Sequence, residues 1–166
     1  MTQKTLLHPG DPFPPLTIKL PGSRTFHLPD ATIGHFSVVL FYRGAWCPYC
    51  NAQLRAFQRS LERLAELDVT VAALSVDDEA TTQDLITRHG LHFRVGHSAD
   101  ANALAKTTGA FISNDPVYVQ STGFVLDPVG RVVVSVYSSG AIGRLVPEDV
   151  VGLIRYLREQ AEASQP

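Results

Sequence analysis

Cys47 and Cys50 are the two cysteines of this 166-residue chain, and they form the segment Cys47-Pro48-Tyr49-Cys50 directly after Phe41-Tyr42-Arg43-Gly44-Ala45-Trp46. Two sulfurs at that spacing can close a reversible disulfide, or they can supply half of a tetrahedral metal site. The surrounding residues favour the disulfide. Phe36–Tyr42 is a continuous apolar run of buried-strand type, and Gly44 provides a tight turn after it. Pro48 suits the first position of a helix, where its missing N–H would have no partner anyway. Cys47 is then the N-cap, beside unpaired backbone N–H groups and the positive end of the helix dipole, where a thiolate is favoured. Cys50 falls about one turn into the helix, four residues before Leu54, on the core-facing stripe. The expected arrangement is an accessible, acidified Cys47 that attacks and a shielded Cys50 that resolves the mixed disulfide.

Each neighbour has a plainer reading beside its chemical one. A zinc site would need histidines to complete it; His89, His92 and His97 are the nearest cluster, but their spacing is not that of a finger. Two inert core cysteines are the other alternative. Trp46 either packs on the sheet or forms a flat wall where a partner's disulfide docks. Arg43 is either a solvated charge at the end of a strand or a cation that stabilises a thiolate and the charge developing on a cleaved peroxide. Tyr42 either packs in the core or lends its hydroxyl to the site. Asp77 and Asp78 end a strand and cap the next helix, and Asp127 is a turn residue. The six histidines form no acid–base constellation, and neither a Gly-x-Ser-x-Gly elbow nor a glycine-rich phosphate loop occurs.

The elements that must hold this pair follow from hydropathy patterning. Leu16–Leu20 and Thr25–Leu28 flank Pro21-Gly22-Ser23-Arg24, a hairpin signal. Pro48–Leu67 carries Leu54, Phe57, Leu61 and Leu64 at helical spacing. Val69–Val76 reads as a buried strand and Glu79–His89 as a helix ended by Gly90. A short strand at Phe93–Val95 and a short helix at Asp100–Lys106 come next. Thr122–Leu126 and Arg131–Tyr137 make a second hairpin, and Pro147–Glu162 is the last helix. Strands alternating with helices predict an α/β fold with a central mixed sheet flanked by helices, preceded by the N-terminal hairpin. One domain over residues 9–160 is expected, with residues 1–8 and 161–166 as flexible ends.

Composition bounds the function. Lys+Arg number 14 against 16 Asp+Glu, a formal charge of −2, which argues against a nucleic-acid binder. Apolar residues make up 45%, too many for a disordered chain, and no run approaches a membrane span. The first ten residues read as neither signal peptide nor transit helix, so the expected location is cytoplasmic.

At these residues the sequence resembles the thioredoxin-like superfamily, and within it the peroxiredoxin branch, the alkyl hydroperoxide reductase and thiol-specific antioxidant (AhpC/TSA) family. The likeness runs over about residues 9 to 160. It includes Pro9-Gly10-Asp11-Pro12-Phe13-Pro14, the strand ending Phe41-Tyr42, Val71–Val76 followed by Asp77, Phe93 to Lys106, and Gly123-Phe124-Val125-Leu126-Asp127-Pro128-Val129-Gly130-Arg131. The subgroup it looks most like carries a Trp-Cys-Pro-x-Cys segment. The catalytic segment departs from the family's Pro-x-x-x-Thr/Ser-x-x-Cys: Arg43 stands at the Pro, Cys47 at the Thr and Cys50 at the peroxide-attacking Cys. The family's Arg before the late strand is replaced by Ser121 or a neighbour, and thioredoxin-type enzymes carry a cis-Pro there.

The resemblance implies a thiol-based antioxidant enzyme that reduces hydroperoxides through the Cys47/Cys50 pair, with a thioredoxin-type protein or a small thiol as reductant. It implies no cofactor and no metal, and is compatible with a homodimer. Helix-start physics and thioredoxin analogy choose Cys47 as nucleophile, the choice followed for disulfide exchange, whereas the peroxiredoxin alignment chooses Cys50, the choice followed for peroxide reduction. A thioredoxin-type oxidoreductase acting on protein disulfides, and a non-catalytic redox sensor or interaction module, are the alternatives.

Overall fold

The computed structural model describes residues 5–165. Nine strands and five helices are formed among them. In chain order these are β1 (Leu16–Leu20), β2 (Arg24–Leu28), β3 (Phe36–Phe41), α1 (Pro48–Arg59), α2 (Leu61–Glu66), β4 (Val69–Leu74), α3 (Glu79–His89) and β5 (Arg94–Gly96). There follow α4 (Ala101–Thr108), β6 (Ile112–Asn114), β7 (Val117–Val119), β8 (Thr122–Leu126), β9 (Val132–Tyr137) and α5 (Pro147–Ala163). The central sheet has the order β5-β4-β3-β8-β9. Its first three strands are parallel, and β8 and β9 run antiparallel to their neighbours. It is the mixed α/β sheet that the alternation of elements predicts.

The two-residue period of β3 assigns its side chains to two cores. Val38, Leu40 and Tyr42 meet Leu54 and Phe57 of α1, Leu64 of α2 and Val150, Val151 and Ile154 of α5 on one face. Val39 and Phe41 point the other way, toward Ile18, Phe26 and Leu28 of the first hairpin and Leu104 of α4. Because apolar side chains cover both faces, β3 reads in sequence as an unbroken apolar run. Its C-terminal end, and with it the turn into α1, is fixed from both sides.

Three features differ from the sequence expectation. The helix over 48–67 is two helices, because Ser60 N is shared between the carbonyls of Ala56 and Phe57 at 3.2 Å each and the chain tightens there. The segment after α4 forms an additional hairpin, β6–β7, with a cis Asp115–Pro116 bond in its turn. The ends are also held more firmly than expected. Leu7 is buried and its amide donates to Tyr137 Oη at 2.9 Å, while α5 continues to Ala163. For residues 1–4 and 166, the expectation of flexible ends lies outside the described residues.

Candidate active site

The loop from β3 to α1 is clamped by its backbone. Asp77, in the loop after β4, accepts from Ala45 N at 2.8 Å, and Asn51 of α1 donates to Ala45 O at 2.9 Å. A Cβ on Gly44 would overlap the Trp46 indole, which is why the turn needs glycine there. Pro48 opens α1 and Cys47 is its N-cap, with Sγ accepting from Cys50 N at 3.3 Å. The sulfur thus fills the place that a Ser or Asp oxygen usually takes at a helix start.

Both cysteines are free thiols, and neither has exposed surface. For Cys47 this corrects the expectation of an accessible N-cap. A helix start leaves its backbone N–H groups open, but here Arg43 from the same loop and Arg144 from a remote segment lie over the sulfur. Arg43 Nη1 lies 3.7 Å from Cys47 Sγ. Arg144 Nη2 lies 3.6 Å from the same sulfur and 3.2 Å from Cys50 Sγ. Cys50 Sγ also accepts from Arg43 N at 3.3 Å.

Arg144 is itself held at three points. Nη1 donates to Gln53 Oε1 at 3.2 Å and to Ser121 Oγ at 3.0 Å, and Nη2 donates to Ala141 O at 3.1 Å. Gln53 returns its amide N–H to Leu145 O at 2.9 Å, tying the loop after β9 to α1. Such a planar, multiply anchored guanidinium is a preorganised cation, already pointed at the sulfurs.

The two thiols are driven apart in acidity. Burial alone pushes the Cys47 thiol up, but hydrogen bonds from the Cys50 thiol and backbone amide, the Arg43 contact and the Arg144 charge outweigh it and hold Cys47 below the ordinary thiol value. Cys50 is raised by burial and by donating to Cys47. The two directions make Cys47 the first of the pair to ionise and Cys50 the one that keeps its proton, the polarity a helix start favours.

The remaining predicted residues sort as follows. Trp46 is 55% exposed, so it does not pack on the sheet; it meets Tyr118 edge to face at 5.1 Å and lies under the Arg43 guanidinium at 4.8 Å. Tyr42 is fully buried, and burial pushes its phenol up to about 12. That places it in the core, with the proton held on oxygen. Asp78 caps α3 through Thr81 N at 2.8 Å, but Asp77 caps nothing and instead holds Ala45. Asp127 accepts from Val129 N and Arg131 N, as a turn residue does. Among the described residues no three His, Cys, Asp or Glu side chains gather where they could hold a metal ion, so His89, His92 and His97 do not join the cysteines.

A strand-turn-helix with a paired thiol at the helix start, on a five-stranded mixed sheet, can be compared with known proteins. The family model described as "AhpC/TSA family" matches residues 9–135. The chain belongs to the AhpC/TSA family. It is a peroxiredoxin-like oxidoreductase of thioredoxin-like fold, a thiol peroxidase by family. A curated relative named peroxiredoxin, from Methanothermobacter thermautotrophicus, is 29% identical over 157 residues, covering 90% of this chain and 72% of the relative. Its counterpart from Methanothermobacter marburgensis matches to the same extent. Among solved structures, Mycobacterium tuberculosis AhpC superposes with a TM-score of 0.76 at 20% identity, covering 94% of this chain and 96% of that one. A mutant of Xylella fastidiosa PrxQ superposes with a TM-score of 0.74 at 18% identity, covering 95% and 99%. These two similarities establish the fold.

Ser121, directly before β8, accepts from Arg144 Nη1, and Arg144, 23 residues further along the chain, presents its guanidinium to both sulfurs. Arg43 faces Cys47 as a second cation. Arg144, Gln53, Tyr118 and the clamp role of Asp77 escaped the sequence reading. For Arg144 no local signal existed, because it follows Gly143 in an irregular loop. Tyr118 could have been found, since Asn114-Asp115-Pro116 between Ile112 and Val117–Val119 is a turn between apolar runs.

Proposed function

We propose that this AhpC/TSA-family protein reduces hydroperoxides, with the Cys47 thiolate as nucleophile and Cys50 as its resolving partner. The observation that carries the reading is the convergence of two guanidinium groups on a sulfur pair that a helix start already polarises. Cys47 Sγ attacks the terminal peroxide oxygen; the S–O bond forms as the O–O bond breaks, and the leaving alkoxide takes up a proton. Arg144 and Arg43 stabilise the charge passing from sulfur to oxygen. Sulfur is oxidised to sulfenic acid, and Cys50 then attacks it, expelling water and closing the Cys47–Cys50 disulfide. A thioredoxin-type dithiol protein, or a small thiol, returns the pair to the reduced state. No metal, flavin or nucleotide takes part in this scheme. Among the described residues no helix is long and apolar enough to cross a membrane, and we propose a cytoplasmic location. Homodimer formation is compatible with the reading.

A second reading, reduction of protein disulfides, is favoured by the exposed Trp46 and Tyr49 flanking Cys47 and Pro48. Stopped-flow oxidation by hydrogen peroxide separates the two. Rapid sulfenic acid formation that survives in Cys50→Ser and is lost in Cys47→Ser is the expected result. Peroxide oxidation no faster than that of a free thiol, alongside efficient insulin-disulfide reduction, would remove the peroxidase reading. Sulfenic acid trapped on Cys50 in the Cys47→Ser protein would reverse the two roles.

A further inference from the structure

Arg43 reaches Cys47 through one long contact of 3.7 Å, and its Nε has no hydrogen-bond partner. A guanidinium on a flexible stem, held only by that contact, would spend much of its time in solvent. Tyr118, on the hairpin that precedes β8, prevents this. Its phenolic oxygen accepts from Arg43 Nη2 at 3.0 Å, and its ring lies 5.2 Å from Arg43 Cζ. Trp46 supplies the second ring at 4.8 Å, and the two rings brace each other edge to face. Guanidinium nitrogens lie in one rigid plane. Fixing Nη2 on Tyr118 and the plane against two rings therefore fixes where Nη1 points, which is at Cys47 Sγ. Cation–π attraction adds to the hold.

We infer that Tyr118 is a positioning residue, whose hydroxyl and ring hold the Arg43 guanidinium over Cys47 and so set the thiolate fraction of that cysteine. The inference rests on the reading of Cys47 as the attacking sulfur. The charged and titratable groups facing Cys47 are Arg43 from its own loop, Cys50 of α1 and Arg144 from the loop after β9. Asp77 is engaged with Ala45 N, and Tyr42 lies on the side of Cys50. Tyr118 reaches Cys47 only through Arg43. The same contact draws the Tyr118 phenol below its ordinary value, as a bond from a cation must.

The test is a cycle of Tyr118→Phe, Arg43→Ala and the double variant, each in a Cys50→Ser background, with thermal unfolding as a folding control. The readout is the midpoint of the pH profile for Cys47 alkylation by iodoacetamide, followed by mass spectrometry. Alkylation is used because it reports the cysteine without interference from tyrosine ionisation. Tyr118→Phe is expected to raise the midpoint so that the thiolate fraction below it falls about threefold, with Arg43→Ala giving about tenfold, each tenfold step being one pH unit. Adding Tyr118→Phe to Arg43→Ala is expected to shift nothing further, since the phenol acts through the guanidinium. An unmoved midpoint in Tyr118→Phe, or an equal shift with and without Arg43, would overturn the inference. Failure of the peroxidase reading looks different: the midpoint still moves, but the wild-type protein consumes no peroxide.

Discussion

Replacing Arg144 by Met tests the electrostatic argument most directly, because the side chain keeps an unbranched, largely apolar stem and loses its charged guanidinium. Arg144 Nη2 stands 3.6 Å from Cys47 Sγ and 3.2 Å from Cys50 Sγ. Two unit charges about 4 Å apart in an effective dielectric of about 20 attract by about 4 kcal/mol. Taken whole, that would raise the Cys47 thiol by about three pH units. The guanidinium charge is spread over three nitrogens and shared with Cys50, Arg43 remains, and water enters the vacated space. A rise of about one to two units is therefore expected, within the range for a neighbouring charge. The rate of peroxide reduction at neutral pH should fall further, by about 100-fold, because the same cation faces the charge on the departing oxygen. The midpoint is read from the pH profile of Cys47 alkylation in Cys50→Ser protein, and the rate from stopped-flow oxidation of the protein with both cysteines. Arg144→Lys should recover part of the acidity but little of the rate, since an ammonium cannot hold Gln53, Ser121 and both sulfurs in one plane. A midpoint within about 0.3 pH unit of the parent and a rate within about twofold in Arg144→Met would show that the guanidinium's closeness to the sulfurs has no electrostatic consequence.

Three further outcomes follow from the same geometry. Burial raises the Asp77 carboxyl, so its support of the fold is greatest below the ordinary Asp value near 4 and is lost as pH rises through the raised value. Asp77→Asn keeps an acceptor for Ala45 N, so urea midpoints should show it gaining on the parent between about pH 4 and pH 7, by less than about 1 kcal/mol. Phe57→Ala empties a fully buried position between α1 and β3 and should cost about 3–5 kcal/mol in denaturant unfolding. Asp78→Ala removes the cap on Thr81 N and should lower the denaturant midpoint slightly, with unchanged peroxide reduction.

The sequence by itself determined whatever depends on neighbours in the chain. The apolar run ending at Phe41, the glycine turn and Pro48 at the first helical position together set Cys47 at an N-cap and Cys50 one turn inward. Hydropathy periods likewise located most strands and helices to within a residue or two, because each element buries a face whose spacing is fixed by its own geometry. They could not locate the break at Ser60, which comes from one amide shared between two carbonyls. Nor could they reveal which side chains meet the sulfurs. Arg144 lies 97 residues from Cys47, and Tyr118 lies 75 residues from Arg43. Only the pairing of β8 with β3 and of β9 with β8, which carries the β6–β7 hairpin and the loop after β9 to the end of β3, brings them together. The burial of Cys47 is of the same kind: a helix start predicts open amides, but whether a thiol there sees solvent is decided by what the rest of the chain lays over it. Local chemistry chose the sulfur pair, and tertiary packing supplied its cations and its cover.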